Sequence, residues 1–191
     1  MEALPDDQLV AHARKGDVDA FTELARRHQE KIFQTVLWMT KNQQDADDLC
    51  QEAFLHAYKH LRKFKQKSSF YTWIYRIAVN LTLNFLKKKM KEKKRSARPV
   101  EDCFQEDVGS TYSFSPEKNS LRKELRQKLK QAIDSLPDPY KMSFVLVVFQ
   151  GMSHSQASEV MGCSENTISW RMFKARKMLQ SKLLPYLGGD K

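Results

Sequence analysis

The segment Ser69 to Lys89, SFYTWIYRIAVNLTLNFLKKK, constrains the fold more than any other part of this chain. Phe70, Ile74, Ile77, Leu81 and Phe85 recur three or four residues apart, the period of an α-helix with one dry face. Tyr71, Tyr75, Arg76, Asn80 and Asn84 are left for the other faces. Aromatic rings stack on unpaired bases, amides read base edges and cations hold phosphates, so such a helix has the chemistry to bind a melted strand. The same tyrosines and Trp73 would equally well complete a protein core, and the charge distribution is what tips the balance toward nucleic acid.

Charge falls into four blocks. Residues 1–61 carry 7 basic and 11 acidic side chains, and residues 62–98 carry 13 and 1. Residues 99–117 carry 5 acidic and no basic groups, and residues 118–191 carry 13 basic and 6 acidic. The net +10 therefore hides two basic blocks separated by an acidic spacer. Each basic block suits a polyanion, whose counterions would be released on binding. Two of them suggest two contacts on one nucleic acid.

A chain of 191 residues accommodates one or two small domains. Only six Gly and six Pro, with long runs of 3.6-residue period, predict an all-α protein. No apolar run is long enough to span a bilayer, and the acidic opening Met1 to Asp7 lacks the order of a signal peptide, so a cytoplasmic location is expected. Cys50, Cys103 and Cys163 are odd in number and widely spaced, which predicts neither a disulfide framework nor a metal pair.

The pattern predicts helices over about Asp6 to Lys15, Asp17 to Lys41 and Asp45 to Leu61, then the aromatic helix capped by Ser69 and extending to about Lys94. Residues 95–116 have no periodicity and read as an irregular acidic linker between domains 1–94 and 117–191. Helix resumes from Glu117 to Leu136, and Phe144, Val145, Val147, Val148 and Phe149 predict a buried helix ending near Gly151. Ser153 and Gln156 have capping-box spacing, Gly162 suits a left-handed turn and Ser164 caps a helix with the buried stripe Ile168, Met172, Ala175 and Leu179. That is a helix-turn-helix, whose second helix would reach base edges from its N-terminal end and phosphates farther along.

Together these residues resemble the extracytoplasmic-function (group IV) sigma factors of bacterial RNA polymerase. Three blocks carry the likeness in order: Asp45 to Phe54, Ser69 to Lys89 and Leu136 to Leu179. The resemblance implies a non-enzymatic protein without metal or cofactor, working in transcription initiation and stress response. Its implied partners are the clamp of the polymerase's largest subunit, the second-largest subunit, promoter DNA and an anti-sigma factor.

Position by position, the resemblance implies that Asp47, Asp48, Gln51, Glu52 and Leu55 meet the core polymerase. An acidic face on a basic chain agrees, being suited to a basic protein rather than to DNA. For the −10 element it implies Phe64, Lys65, Ser69, Tyr71, Trp73, Arg76, Asn80, Asn84, Lys87 and Lys88. Asn80 is the foremost base reader, because one amide both donates and accepts. For the −35 element the set is Ser164, Glu165, Asn166, Thr167, Ser169, Trp170, Arg171, Lys174, Arg176 and Lys177. Trp170 stands where the family commonly has a small or polar residue, and Ser155 with Gln156 replaces a usual acidic pair, which leaves the sequence preference open. The acidic linker, repelled by DNA, would lie in the channel that later receives RNA; 22 residues reach about 73 Å when extended.

Two other functions compete. A conventional dimeric helix-turn-helix regulator would explain Leu136 to Leu179 but leave the aromatic helix and the acidic face without purpose. A metal-dependent nuclease could use His56 and His60, one turn apart, with Glu52 a turn earlier, but the sequence offers no evident third ligand in a recognised spacing.

Overall fold

The computed structural model describes residues 4–66, 68–95 and 119–187, and every regular element among them is a helix. The expected linker, residues 95–116, lies outside the described residues apart from Arg95. The helices are α1 (Asp6–Arg14), α2 (Val18–Thr40), α3 (Gln43–His60), α4 (Phe70–Arg95), α5 (Asn119–Asp134), α6 (Asp138–Phe144), α7 (His154–Met161) and α8 (Glu165–Leu187).

Local chemistry accounts for most boundaries. The Asp17 carboxylate accepts the Ala20 N–H at 3.0 Å and starts α2. Lys41, left-handed at φ 57°, ends that helix, and Asn42 then caps α3 by accepting the Asp45 N–H at 2.9 Å. Ser69 caps α4 through the Thr72 N–H at 3.1 Å. In the C-terminal half Ser153 and Gln156 form both bonds of the capping box, and Gly162 closes α7 at φ 61°.

α1 to α4 make the N-terminal bundle, with α2 and α3 packed together and α4 against both. Leu24, Ile32, Ala53, Ala57, Phe70 and Ile74 form its centre, and each large apolar side chain buried there contributes about 1.5–3 kcal/mol. α5 to α8 form the C-terminal domain, in which α7 and α8 are the expected helix-turn-helix.

Two expectations are revised. Val145 to Phe149 is not a buried α-helix: it is a π-helical turn in which the Gln150 N–H donates to the Val145 carbonyl at 3.1 Å. The wider turn leaves Val148 and Phe149 exposed. α4, for its part, is not dry on a single stripe. Phe70 and Ile74 are buried, Ile77, Leu81 and Phe85 only half so, whereas Thr72, Tyr75, Ala78, Val79 and Thr82 are fully covered. The cause is tertiary, because α7 of the second domain packs on α4.

That packing joins the domains. Tyr75 is 0% exposed, and its hydroxyl donates to Gln150 Oε1 at 3.0 Å. Trp38 stacks on Phe149 at a centroid distance of 4.9 Å. Asp134 is paired with a cation from each domain, Lys41 at 3.5 Å and Lys141 at 2.8 Å.

Candidate protein- and nucleic-acid-binding faces

The acidic face lies on α3. Asp47, Asp48, Gln51, Glu52 and Leu55 are all exposed and, at 100° per residue, span an arc of about 140°. Beside them an open groove of about 860 Å³ runs between α2 and α3, with Phe21, Phe33, Phe54 and Leu55 among its walls. Leu55 is 59% exposed at its rim. Apolar walls with a carboxylate rim fit an amphipathic helix with basic edges. Sequence reasoning missed the α2 wall; the signal was the apolar Val18 and Phe33, which lie beside Phe21 on that helix. Cys50 lies beneath this face, where burial and then Asp47 push its thiol up to about 12. It is a packing group and not a thiolate.

The second face follows α4. Ser69, Trp73, Arg76, Asn80, Asn84, Lys87 and Lys88 lie three, four or one residue apart and share one side of the helix. All are exposed except Trp73, which is half-buried. Trp73 is set in place by Phe64, which stacks on it at 4.7 Å and meets Phe70 edge-on at 6.4 Å. Phe64, expected as a base contact, is only 5% exposed in this structure and packs beneath Trp73. A short loop folding back over a helix start buries its one apolar side chain. Lys65 on that loop remains exposed. Tyr71 points the other way, half-buried against Tyr75 at 4.6 Å and His28 at 5.7 Å, and does not join the stripe.

A cavity of about 190 Å³ opens on this face, lined by Ser68, Thr72, Trp73, Arg76 and, from α7, Glu159. Asn80 lies one turn beyond it on the same side, so the enclosed space is at Trp73 and Arg76 rather than at the amide. The domain contact thus places a carboxylate at the mouth of a face that otherwise offers cations.

The third face is on α8. Ser164 spends its hydroxyl as the cap, accepting the Thr167 N–H at 3.2 Å. Glu165, Asn166, Ser169, Trp170, Arg176 and Lys177 are exposed, while Thr167, Arg171 and Lys174 are half-buried. The Ser169 hydroxyl lies 3.0 Å from His154 Nδ1. Arg171 turns back along the helix: its Nη1 lies 3.7 Å from Cys163 Sγ and 3.8 Å from Met161 Sδ, over the turn. Phe173, which sequence reasoning left out, is 61% exposed.

His56 and His60 have ring centroids 4.4 Å apart, and among the described residues no group of three or more His, Cys, Asp or Glu could hold a metal ion. No described helix is long and apolar enough to cross a membrane.

Comparison with known proteins agrees with this arrangement. The family model described as Sigma-70 region 2 matches residues 24–92, which hold the first two faces, and that described as Sigma-70, region 4 matches residues 126–179, which hold the third. The chain is 35% identical over 184 residues to the RNA polymerase sigma-H factor of Pseudomonas aeruginosa, covering 95% of both. It is 36% identical over 191 residues to the ECF RNA polymerase sigma-E factor of Escherichia coli strain K12, covering 97% of this chain and 98% of that one. The solved structure of CnrH in complex with the cytosolic domain of CnrY is similar at a TM-score of 0.66 and 25% identity, over 93% of this chain and 96% of that one. With two sigma-70 regions in order and full-length likeness to sigma factors, this chain belongs to the extracytoplasmic-function sigma factors of bacterial RNA polymerase.

Proposed function

We propose that this protein carries core RNA polymerase to promoters and traps the melted −10 element, with a separate role for each face. Asp47, Asp48, Gln51, Glu52 and Leu55 meet the basic clamp of the largest subunit. The α4 stripe takes the melted strand, with the Trp73 ring for stacking, Asn80 for a base edge and Arg76, Lys87 and Lys88 for phosphates. α8 enters the major groove of the −35 element. The second-largest subunit and an anti-sigma factor complete the partners. The capture of CnrH with the cytosolic domain of CnrY supports a protein partner for this chain. The working place is the cytoplasm, and the role is recognition without catalysis. The single observation that carries this reading is the stripe from Ser69 to Lys88, which joins a ring, two amides and three cations on one side of one helix.

The closed packing bears on how the protein works. Tyr75 and Gln150 touch, whereas elements one and a half duplex turns apart are separated by about 51 Å. On this reading the domains part when both elements are held. Glu159 beside Arg76 also repels phosphate from the α4 face until they do.

Footprinting with purified protein, with and without core polymerase, tests the proposal. Protection of promoter DNA only with core supports it. A footprint by the protein alone, as a dimer, overturns it in favour of a conventional regulator. The double variant Asp48→Lys with Glu52→Lys should lose core in a pull-down while melting like the unmodified protein, since both positions are exposed.

A further inference from the structure

α8 buries Ile168, Met172, Ala175 and Leu179. On the opposite side Asn166, Trp170, Phe173 and Lys177 follow one another at spacings of four, three and four residues, a line along the solvent-facing side of the helix. Two large rings stand in the middle of that line, Trp170 at 52% and Phe173 at 61% exposed. Single exposed apolar side chains are ordinary, but two adjacent rings flanked by an amide and a cation mark a contact surface.

Trp170 is also held in place. The Tyr140 ring lies 5.8 Å from it, and the Lys174 ammonium sits 5.7 Å from its centroid. The cation nearest the start of the helix, Arg171, is half-buried and laid over the Met161 and Cys163 sulfurs rather than extended from the helix. Among the exposed side chains along this part of the helix, the two large ones in the middle of the line are therefore apolar, flanked by polar and charged groups. The one apolar feature on the major-groove edge of the four base pairs is the thymine C5-methyl group. Arg176 and Lys177, farther along the helix, supply charge for phosphates.

We infer that Trp170 and Phe173 are the specificity-determining residues of this reader: they select −35 elements with thymine methyl groups beneath the two rings, and Tyr140 positions Trp170. Three residues along a helix rise about 4.5 Å, close to the 3.4 Å between base pairs, so the two methyls lie on neighbouring steps. The inference rests on α8 being the −35 reader.

The test uses holoenzyme reconstituted from core polymerase and the full chain, selecting from a promoter library randomised upstream. The enriched element should contain thymines, on either strand, at two neighbouring positions. Each is then replaced by deoxyuridine, which removes only the methyl group. Affinity should fall about threefold to fivefold per methyl, the worth of one buried carbon. Trp170→Ala should abolish that sensitivity at one position and Phe173→Ala at the other, with core pull-down and helix content unchanged. Tyr140→Leu should weaken the Trp170 effect, and Tyr140→Phe should restore it. Equal binding of deoxyuridine and thymidine, or full sensitivity retained in both ring variants, overturns the inference while leaving the −35 reading intact. Loss of core binding by the ring variants overturns it in favour of a protein contact. A selection that yields no upstream element overturns the −35 reading and this inference with it.

Discussion

Replacing Gln150 by Leu should loosen the contact between the two domains more than removing the hydroxyl it serves. Tyr75 has no exposed surface, and burial raises its hydroxyl above the usual range, so it stays a donor at any working pH. Its partner is Gln150 Oε1, 3.0 Å away on a side chain that is itself only half-buried. Gln150→Leu takes away the acceptor of a buried phenol, which is left with only the neighbouring Thr35 and Tyr71 hydroxyls, at about 1–3 kcal/mol. Tyr75→Phe removes the donor itself, and the amide left behind can turn to water, so the cost is about 0.5–1.5 kcal/mol. The double variant should then lie closer to Tyr75→Phe than to the sum of the two single changes. If the loss falls on the domain contact, 1–3 kcal/mol raises the open population by roughly 5- to 150-fold. Hydrogen exchange reads this directly: amides of α7 and of the middle of α4 should exchange faster in Gln150→Leu, with those of the α2 core unchanged. A Tyr75→Phe effect larger than that of Gln150→Leu would refute the reasoning. So would faster exchange spread evenly over the chain, which would mean that the bond supports the whole fold and not the closure.

Asn80→Ala should slow open-complex formation on duplex promoters by about 1–3 kcal/mol, through unpaired groups on the trapped base. A promoter pre-melted over the −10 element should rescue it only in part, as judged by permanganate reactivity of bubble thymines. Arg176→Ala and Lys177→Ala should each reduce the salt slope of holoenzyme binding by about one, while Arg171→Ala, turned inward over the Cys163 sulfur, should change it less and instead lower the melting temperature. Cys50 should resist alkylation at pH 8 in the folded protein, because burial pushes its thiol up to about 12, and react at the ordinary rate once denatured; mass spectrometry distinguishes the two.

The features legible from sequence share one property: their partners lie within a turn or two along the chain. The capping box needs Ser153 and Gln156, the α4 cap needs Ser69 and the Thr72 amide, and the acidic α3 face needs only the helical period. The order of the two regions was readable for the same reason, since each motif is contiguous. Periodicity reports which side of a helix is apolar but not how many sides will be covered. α4 carries small and apolar groups on two flanks, and which flank stays wet depends on whether α7 arrives.

Sequence by itself determined the helical class, the caps, the acidic and basic faces and the reading of two regions in order. Tertiary structure alone decided that Phe64 lies under Trp73, that Tyr75 is sealed by Gln150, 75 residues away, and that Glu159 lines one cavity with Arg76. It also decided that Arg171 turns inward while Phe173 stays out. A side chain's chemistry is a property of the residue, but its exposure depends on what other elements remove from water. Those elements are distant in the chain and close only once it has folded.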